Sequence, residues 1–201
     1  MRKLFPVFFI LLGTLLSTCT LTNAQTPTIE YRNEVFEVIY SEDYEQPLSV
    51  KYTVDCWDGN HSRSGLNFYK VEGIHTSDNN DYKNNVWDKG HMAPAAAFSC
   101  DETELKLTFS YLNCALQHEG LNRGPWKDLE AYERKLAEKY GKVEVYIEVI
   151  FENVEKNRLP TGAVIPTAFK KTIKYGNVTK VYLFPNKDVR QQDYNYFYQL
   201  Q

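Results

Sequence analysis

Cysteine is scarce in this chain and poorly spaced for metal: 201 residues hold four, Cys19, Cys56, Cys100 and Cys114, and no two stand in a C-x-x-C arrangement. That argues against a thiolate zinc site. Basic charge is short as well, with 23 Lys and Arg against 26 Asp and Glu and a net charge of −3. The chain therefore lacks the broad positive footprint of a protein whose grip rests on many phosphate contacts. Any hold on nucleic acid must be local, or assisted by a cation. Internal repeats, low-complexity tracts and a Pro/Gly-rich linker are also missing, which leaves no seam between two units. The one long apolar run, Leu4 to Leu16, is too short for a comfortable membrane span.

What stands around that run has a different meaning. Arg2 and Lys3 precede it and a polar stretch ending in Thr22-Asn23-Ala24 follows, the layout of a secretory signal peptide. Residues 1–24 are expected to be removed, leaving one domain over residues 25–201 in the periplasm or outside the cell. Losing Arg2 and Lys3 and no acid takes the balance from 23 against 26 to 21 against 26, a net charge of −5. Leu16-Ser17-Thr18-Cys19 faintly resembles a lipid-attachment site, but threonine fits poorly just before the cysteine, so no lipid anchor at Cys19 is expected. Of Cys56, Cys100 and Cys114, at most one pair can form in that oxidising setting, and which pair is left open.

Val35 to Tyr40 is rich in β-branched and aromatic residues, and Leu48, Val50, Tyr52, Val54 and Cys56 alternate with polar neighbours. Both patterns predict strands. From Asp58 to Asp88 the composition turns to Gly, Asn, Asp and Ser and reads mainly as loop. A helix is predicted from Pro125 to Tyr140. Proline suits its first turn, Asp128 and Glu130 suit its positive end, and Trp126, Leu129, Tyr132, Leu136 and Tyr140 form an apolar stripe before Gly141 stops it. Val143 to Phe151 reads as a strand, and Ala163 to Tyr175 with Val178 to Phe184 as a strand pair around Gly176-Asn177. This order predicts an α+β domain with an antiparallel sheet rather than alternating βαβ units.

Two islands carry candidate chemistry. Trp87-Asp88-Lys89-Gly90-His91-Met92-Ala93-Pro94 sets a histidine behind a glycine and a charged pair, and Leu121-Asn122-Arg123-Gly124-Pro125-Trp126 followed by Leu129-Glu130 sets an amide and an acid at the helix start. Hydrolysing a phosphodiester takes a nucleophilic water, charge relief on the phosphate and a stabilised leaving oxygen. His91 suits the first task, since a neutral imidazole can accept a proton when its other nitrogen is held by a carbonyl or carboxylate. Gly90 would let the backbone turn sharply before it. Asn122 offers the oxygen preferred by a hard ion such as Mg²⁺, which keeps several waters and needs few protein ligands. Glu130, roughly 12 Å further along a helix, is better placed to orient waters around the ion than to share its ligand set. Lys89 and Arg63 are the nearest cations for a phosphate. Taken singly, each has a plainer reading: structural histidine, helix cap, solvated first-turn acid or surface charge. His61, His75 and His118 show no such pattern and read as structural or exposed.

The joint pattern decides the matter. Asp88-Lys89-Gly90-His91, Tyr111-Leu112-Asn113-Cys114-Ala115-Leu116-Gln117 and Leu121-Asn122 through Leu129-Glu130 resemble the D-R-G-H, S-N-x-x-P-Q and L-N-x-x-x-W-x-x-L-E segments of the DNA/RNA non-specific endonucleases of the ββα-metal type. Weaker likeness, including Ile165-Pro166-Thr167 and Phe184-Pro185-Asn186, extends over roughly residues 30 to 190. The resemblance implies a ββα-metal nuclease fold, a central antiparallel sheet flanked by helices. It also implies that His91 is the general base and that Asn122 binds Mg²⁺ directly, with Mn²⁺ as an alternative. In the same way Asn113 becomes an active-site amide, Glu130 the acid near the waters of the metal, and Arg63 an upstream phosphate contact. Lys89 stands where the family has arginine, keeping the charge but losing the planar two-pronged grip. Leu112 and Leu116 replace the Ser and Pro of the second segment, and the strand from Val145 lacks the family's Thr-Gly-Pro.

The function implied is a secreted, divalent-metal-dependent endonuclease that cuts DNA and RNA without sequence specificity to 5′-phosphorylated products, with no stable membrane partner. Two rivals share its fold. One is a catalytically weak secreted nucleic-acid-binding protein, motivated by the acidic charge and Lys89; the other is a phosphodiesterase for a non-nucleic substrate.

Overall fold

The computed structural model describes residues 28–200. The expected signal peptide, residues 1–24, and Cys19 lie outside them. Seven strands make one antiparallel sheet in the order β1-β2-β3-β6-β7-β8-β9, where β1 is Thr28–Arg32, β2 Phe36–Ser41, β3 Gln46–Val54, β6 Val143–Ile150, β7 Ala168–Tyr175, β8 Val178–Pro185 and β9 Tyr198–Gln199. A separate antiparallel pair joins β4, Trp87–His91, to β5, Cys114–His118. The helices are α1, Glu102–Leu107, α2, Glu119–Leu121, and α3, Lys127–Tyr140. No helix among the described residues is long and apolar enough to cross a membrane.

The expected α+β class and antiparallel sheet are what the chain forms. Period-two patterning explains the sheet: Val143, Val145, Ile147 and Val149 of β6 are buried while Glu144 and Tyr146 between them are exposed. The sheet's inner face receives α3 through Leu129, Leu136 and Ala137, and Trp126 just before α3 is fully buried against Phe169 and Phe184. Burying side chains of this size is worth roughly 1.5–3 kcal/mol each, which makes this contact the principal anchor of the helix.

The predicted stripe on α3 is partly displaced. Tyr140 is exposed, and the buried position two turns earlier belongs to Glu133. That carboxylate accepts from Tyr52 Oη at 2.8 Å and from Lys171 Nζ at 2.9 Å, and Lys171 on β7 is fully buried in turn. Lys171 also lies 3.9 Å from the Trp126 ring centroid. The pair holds a helix to a strand by an ionic bond inside an otherwise apolar contact.

Two other expectations shift. The strand predicted from Ala163 starts at Ala168, because Pro166 has no N–H for a ladder and its carbonyl is held by Asn186 Nδ2 at 2.8 Å. Gly90 is not at a sharp turn; it lies within β4, and a Cβ there would come 2.3 Å from Gln117 Oε1. Glycine is needed because the Gln117 side chain lies across it.

Candidate active site

β4, the turn over residues 94–99 after it, the segment leading into α3 and the start of α3 itself line a cavity of about 720 Å³. Its lining includes Arg63, Lys89, His91, Asn122 and Glu130, five of the six residues singled out in the sequence, together with His61, Arg123, Lys127 and Arg134. Five Lys or Arg side chains thus share one cavity with a single carboxylate, Glu130. The rest of this acidic chain's Lys and Arg lie elsewhere, but this cavity is locally positive, as a phosphate site requires. A second concavity, about 530 Å³ between Tyr31, Ile39, Lys51 and Tyr146 on the outer sheet face, contains no histidine or amide.

His91 ends β4, and strand alternation places it on the same face as Lys89. Its ring packs between Phe68 and Phe109, each centroid 4.8 Å away. The carbonyl or carboxylate partner expected for the imidazole is not found among the described residues, and Nε2 is buried without a hydrogen bond. Aromatic packing, not a hydrogen bond, fixes the ring. Burial, and then the nearby Arg63 guanidinium, push the imidazole down to about 3, so it is neutral across the physiological range.

Asn122 opens a wide, π-type turn, Asn122–Trp126, in which Gly124 leaves helical geometry and Pro125 has no N–H to offer. Its Nδ2 donates to Asp88 Oδ2 at 2.8 Å, and Arg123 clamps the same carboxylate through Nε at 2.8 Å and Nη2 at 2.6 Å. The reversed amide would set oxygen against oxygen, so the bond to Asp88 orients the Asn122 amide and leaves its Oδ1 without that partner. Sequence reasoning quoted Asp88 as part of the first island without assigning it a task. The signal was a carboxylate with no apolar reason to be there, but its partner lies 34 residues away.

Glu130 sits on the first turn of α3, half-buried with part of its surface toward the cavity. Desolvation raises its carboxyl to about 7, with Lys171 opposing and Glu133 adding to the rise. Lys89 is held more tightly than a surface lysine: its ammonium lies 5.4 to 5.8 Å from the rings of Phe68, Tyr82 and Tyr111 and bonds Asn79 Oδ1. Tyr111 Oη donates to the same Asn79 oxygen at 2.9 Å.

Asn113 is the one predicted site residue that the fold keeps out of the cavity. It is fully buried; its Oδ1 accepts from Ala93 N at 2.7 Å, and its Nδ2 donates to Ala93 O and Thr108 O, both at 2.9 Å. Every strong bond of that amide goes to backbone, and the bonds to Ala93 fix the chain immediately after His91. His61, read as structural or exposed, is exposed and also lines the cavity, and His118 accepts from Gly120 N at 3.0 Å and caps α2. Cys56 pairs with Cys100, and buried Cys114 remains a thiol, pushed up to about 12 by burial.

The sequence matches the DNA/RNA non-specific endonuclease family over residues 17–200. The chain belongs to that family. Its β4, β5 and α3 are the ββα unit of these endonucleases, with His91 on the first strand and Asn122 ahead of the helix. The chain is 33 % identical over 90 residues to mitochondrial endonuclease G of Bos taurus, covering 43 % of this chain and 30 % of that protein. It is 36 % identical over 75 residues to the human protein of the same name, covering 37 % and 25 %. To mitochondrial nuclease 1 of Schizosaccharomyces pombe it is 28 % identical over 129 residues, covering 54 % and 40 %. The matches span less than half the length of these relatives. A chain in the crystal structure of the EndoG/EndoGI complex has the same fold, with a TM-score of 0.73 at 23 % identity over 85 % of this chain and 80 % of that one.

Proposed function

We propose that this member of the family is a metal-dependent endonuclease that hydrolyses phosphodiester bonds of DNA and RNA without sequence preference, leaving 5′-phosphorylated products. One observation supports the reading above all: a neutral, unpartnered imidazole and a carboxylate-oriented amide open onto the same cation-rich cavity. A neutral imidazole carries the lone pair a proton acceptor needs, though burial and Arg63 make it a weak base, and an amide fixed by its nitrogen is free to offer its oxygen.

In this mechanism Arg63, Lys89 and Arg134 neutralise the non-bridging oxygens of the phosphate. Neutral His91 accepts a proton as water attacks phosphorus in line, and the P–O3′ bond breaks on the opposite side. Contacts to the backbone rather than to base edges account for low sequence preference. Asp88 and Asn113 act as positioning residues, Asp88 by orienting the Asn122 amide and Asn113 by clamping the chain after His91.

A divalent cation fits the residues present. No cluster of three or more His, Cys, Asp or Glu is arranged for a metal among the described residues, so an all-protein cage is not offered. A single amide oxygen with a nearby carboxylate for the surrounding water suits Mg²⁺, or Mn²⁺, which keeps most of its hydration. Asn122 Oδ1 would hold the ion and Glu130 would orient that water. The ion supplies charge relief on the phosphate and on the departing oxygen.

We also propose that residues 25–201 work as one exported domain. The Cys56–Cys100 bond supports an oxidising compartment, since such bonds are rare where thiols are kept reduced. Purified protein incubated with plasmid DNA and with RNA, in Mg²⁺ and in chelator, beside His91→Ala, tests the activity. Cleavage that survives both chelator and the substitution would refute it, as would an inert parent protein.

A further inference from the structure

Arg63 reaches the cavity from the least supported segment around it. Residues 57–65 form no helix or strand, and all but Gly59 are exposed. The bonds inside the segment, Ser64 N to Ser62 Oγ at 3.1 Å and Leu66 N to Arg63 O at 3.2 Å, shape it without tying it to the rest of the protein. What ties it down is Ser99-Cys100. His61 N donates to Ser99 O at 3.0 Å, and the Gly59 backbone lies so close that a Cβ there would come 2.3 Å from the Ser99 carbonyl carbon. The Cys56–Cys100 disulfide completes the attachment, with a Cα–Cα distance of 5.9 Å across 44 residues of sequence. Ser99 itself lines the cavity, so the tether stands where Arg63 must arrive.

We infer that the Cys56–Cys100 disulfide is a positioning element for Arg63 and thereby sets how tightly the cavity holds a substrate phosphate. The inference rests on the phosphate-binding role proposed for Arg63. Cys100 is exposed, whereas Cys56 and Cys114 are buried, so a dithiol in solution meets the bond from the Cys100 side. The dithiol supplies two electrons: the Sγ–Sγ bond breaks, both sulfurs end as thiols, and the reagent leaves as its own cyclic disulfide. The segment then keeps one backbone hydrogen bond, the Gly59 contact and a long Cys100 Sγ to Asp58 Oδ1 approach of 3.8 Å, too little to hold an exposed loop in one place. His91 and Asn122, carried by β4 and the turn before α3, keep their own supports.

KM and kcat on plasmid DNA in Mg²⁺ test this with five forms of the protein: oxidised, dithiol-reduced, Cys56→Ser/Cys100→Ser, Arg63→Ala, and the triple variant, each checked by thermal unfolding. Arg63→Ala is expected to raise KM about tenfold, the loss of one charge-assisted phosphate contact. Opening the disulfide raises KM about three- to tenfold by the same interaction, with kcat within about twofold, and reoxidation reverses it. On the Arg63→Ala background, opening the disulfide changes nothing further. An additional KM rise on that background, a fall in kcat, or an unchanged KM on reduction overturns the inference while leaving the role of Arg63 intact. An unchanged KM in Arg63→Ala overturns both. If the double serine variant does not fold, reduced and reoxidised protein, with and without Arg63→Ala, carry the same comparison.

Discussion

Glu130 and Glu133 lie one turn apart on α3 and have opposite surroundings. Glu133 is sealed in the core with both oxygens bonded, one to Tyr52 and one to Lys171. Glu130 forms no ion pair among the described residues, meets the cavity, and is pushed up to about 7 by desolvation. The same side chain on the same helix is structural where its charge is balanced by the fold and chemically available where it is not. The contrast recurs in other pairs. Asn113 gives its whole amide to backbone while Asn122 keeps its oxygen, and His118 caps a helix while His91 Nε2 has no partner.

Substitutions can break this division, beginning with the largest effect. His91→Ala should lower kcat by about 10²–10⁴-fold, the usual contribution of a positioned proton acceptor, while the thermal midpoint holds. Cleavage rates read beside unfolding curves check it, and a loss of stability without a loss of rate would reverse the assignment. Lys171→Met should do the opposite. It strands the Glu133 carboxylate in the core and costs about 3–5 kcal/mol of stability in a denaturant titration, with kcat per folded molecule nearly unchanged.

Smaller effects separate support from contact. Asp88→Ala frees the Asn122 amide to rotate and should weaken divalent-ion affinity about 10–100-fold by calorimetric titration, whereas substituting a residue with no bond to Asn122 should not. The smallest effect is pH-dependent. Glu130 is raised from its ordinary value near 4.5 to about 7, so its protonated form is favoured by the fold. Its contribution is fully present below pH 4.5 and is lost as pH rises through 7. Without divalent ions, Glu130→Gln should therefore stabilise the protein at pH 8 by on the order of 1–2 kcal/mol and leave it unchanged at pH 4. The full shift would give more, but the cavity side of the carboxyl still meets water.

Much of this was legible in the residues because their spacing carries it. The alternation of β6, the turn at Gly176-Asn177 and the span of α3 follow from local periodicity, and the order of His91, Asn122 and Glu130 along the chain survives folding. What was hidden depends on contacts distant in sequence. Trp87–His91 holds charged residues, a glycine and a histidine, and becomes a strand only because β5 pairs with it. Glu133 drew no notice in the sequence, because its partner Lys171 lies 38 residues later. His61 reached the cavity through a tether that no local pattern announces.

The confinement of the cations has a kinetic side. A nuclease with a long basic groove releases many counterions on binding, slides along its substrate and loses its grip steeply as salt rises. Here five of the 23 Lys and Arg side chains line one cavity of a chain with a net charge of −3, so few phosphates would be neutralised at once there. If the chain is the nuclease proposed, it is expected to dissociate after each cut and begin again elsewhere, to lose activity only gently as ionic strength rises, and to scatter its early cuts over the whole population of substrate molecules.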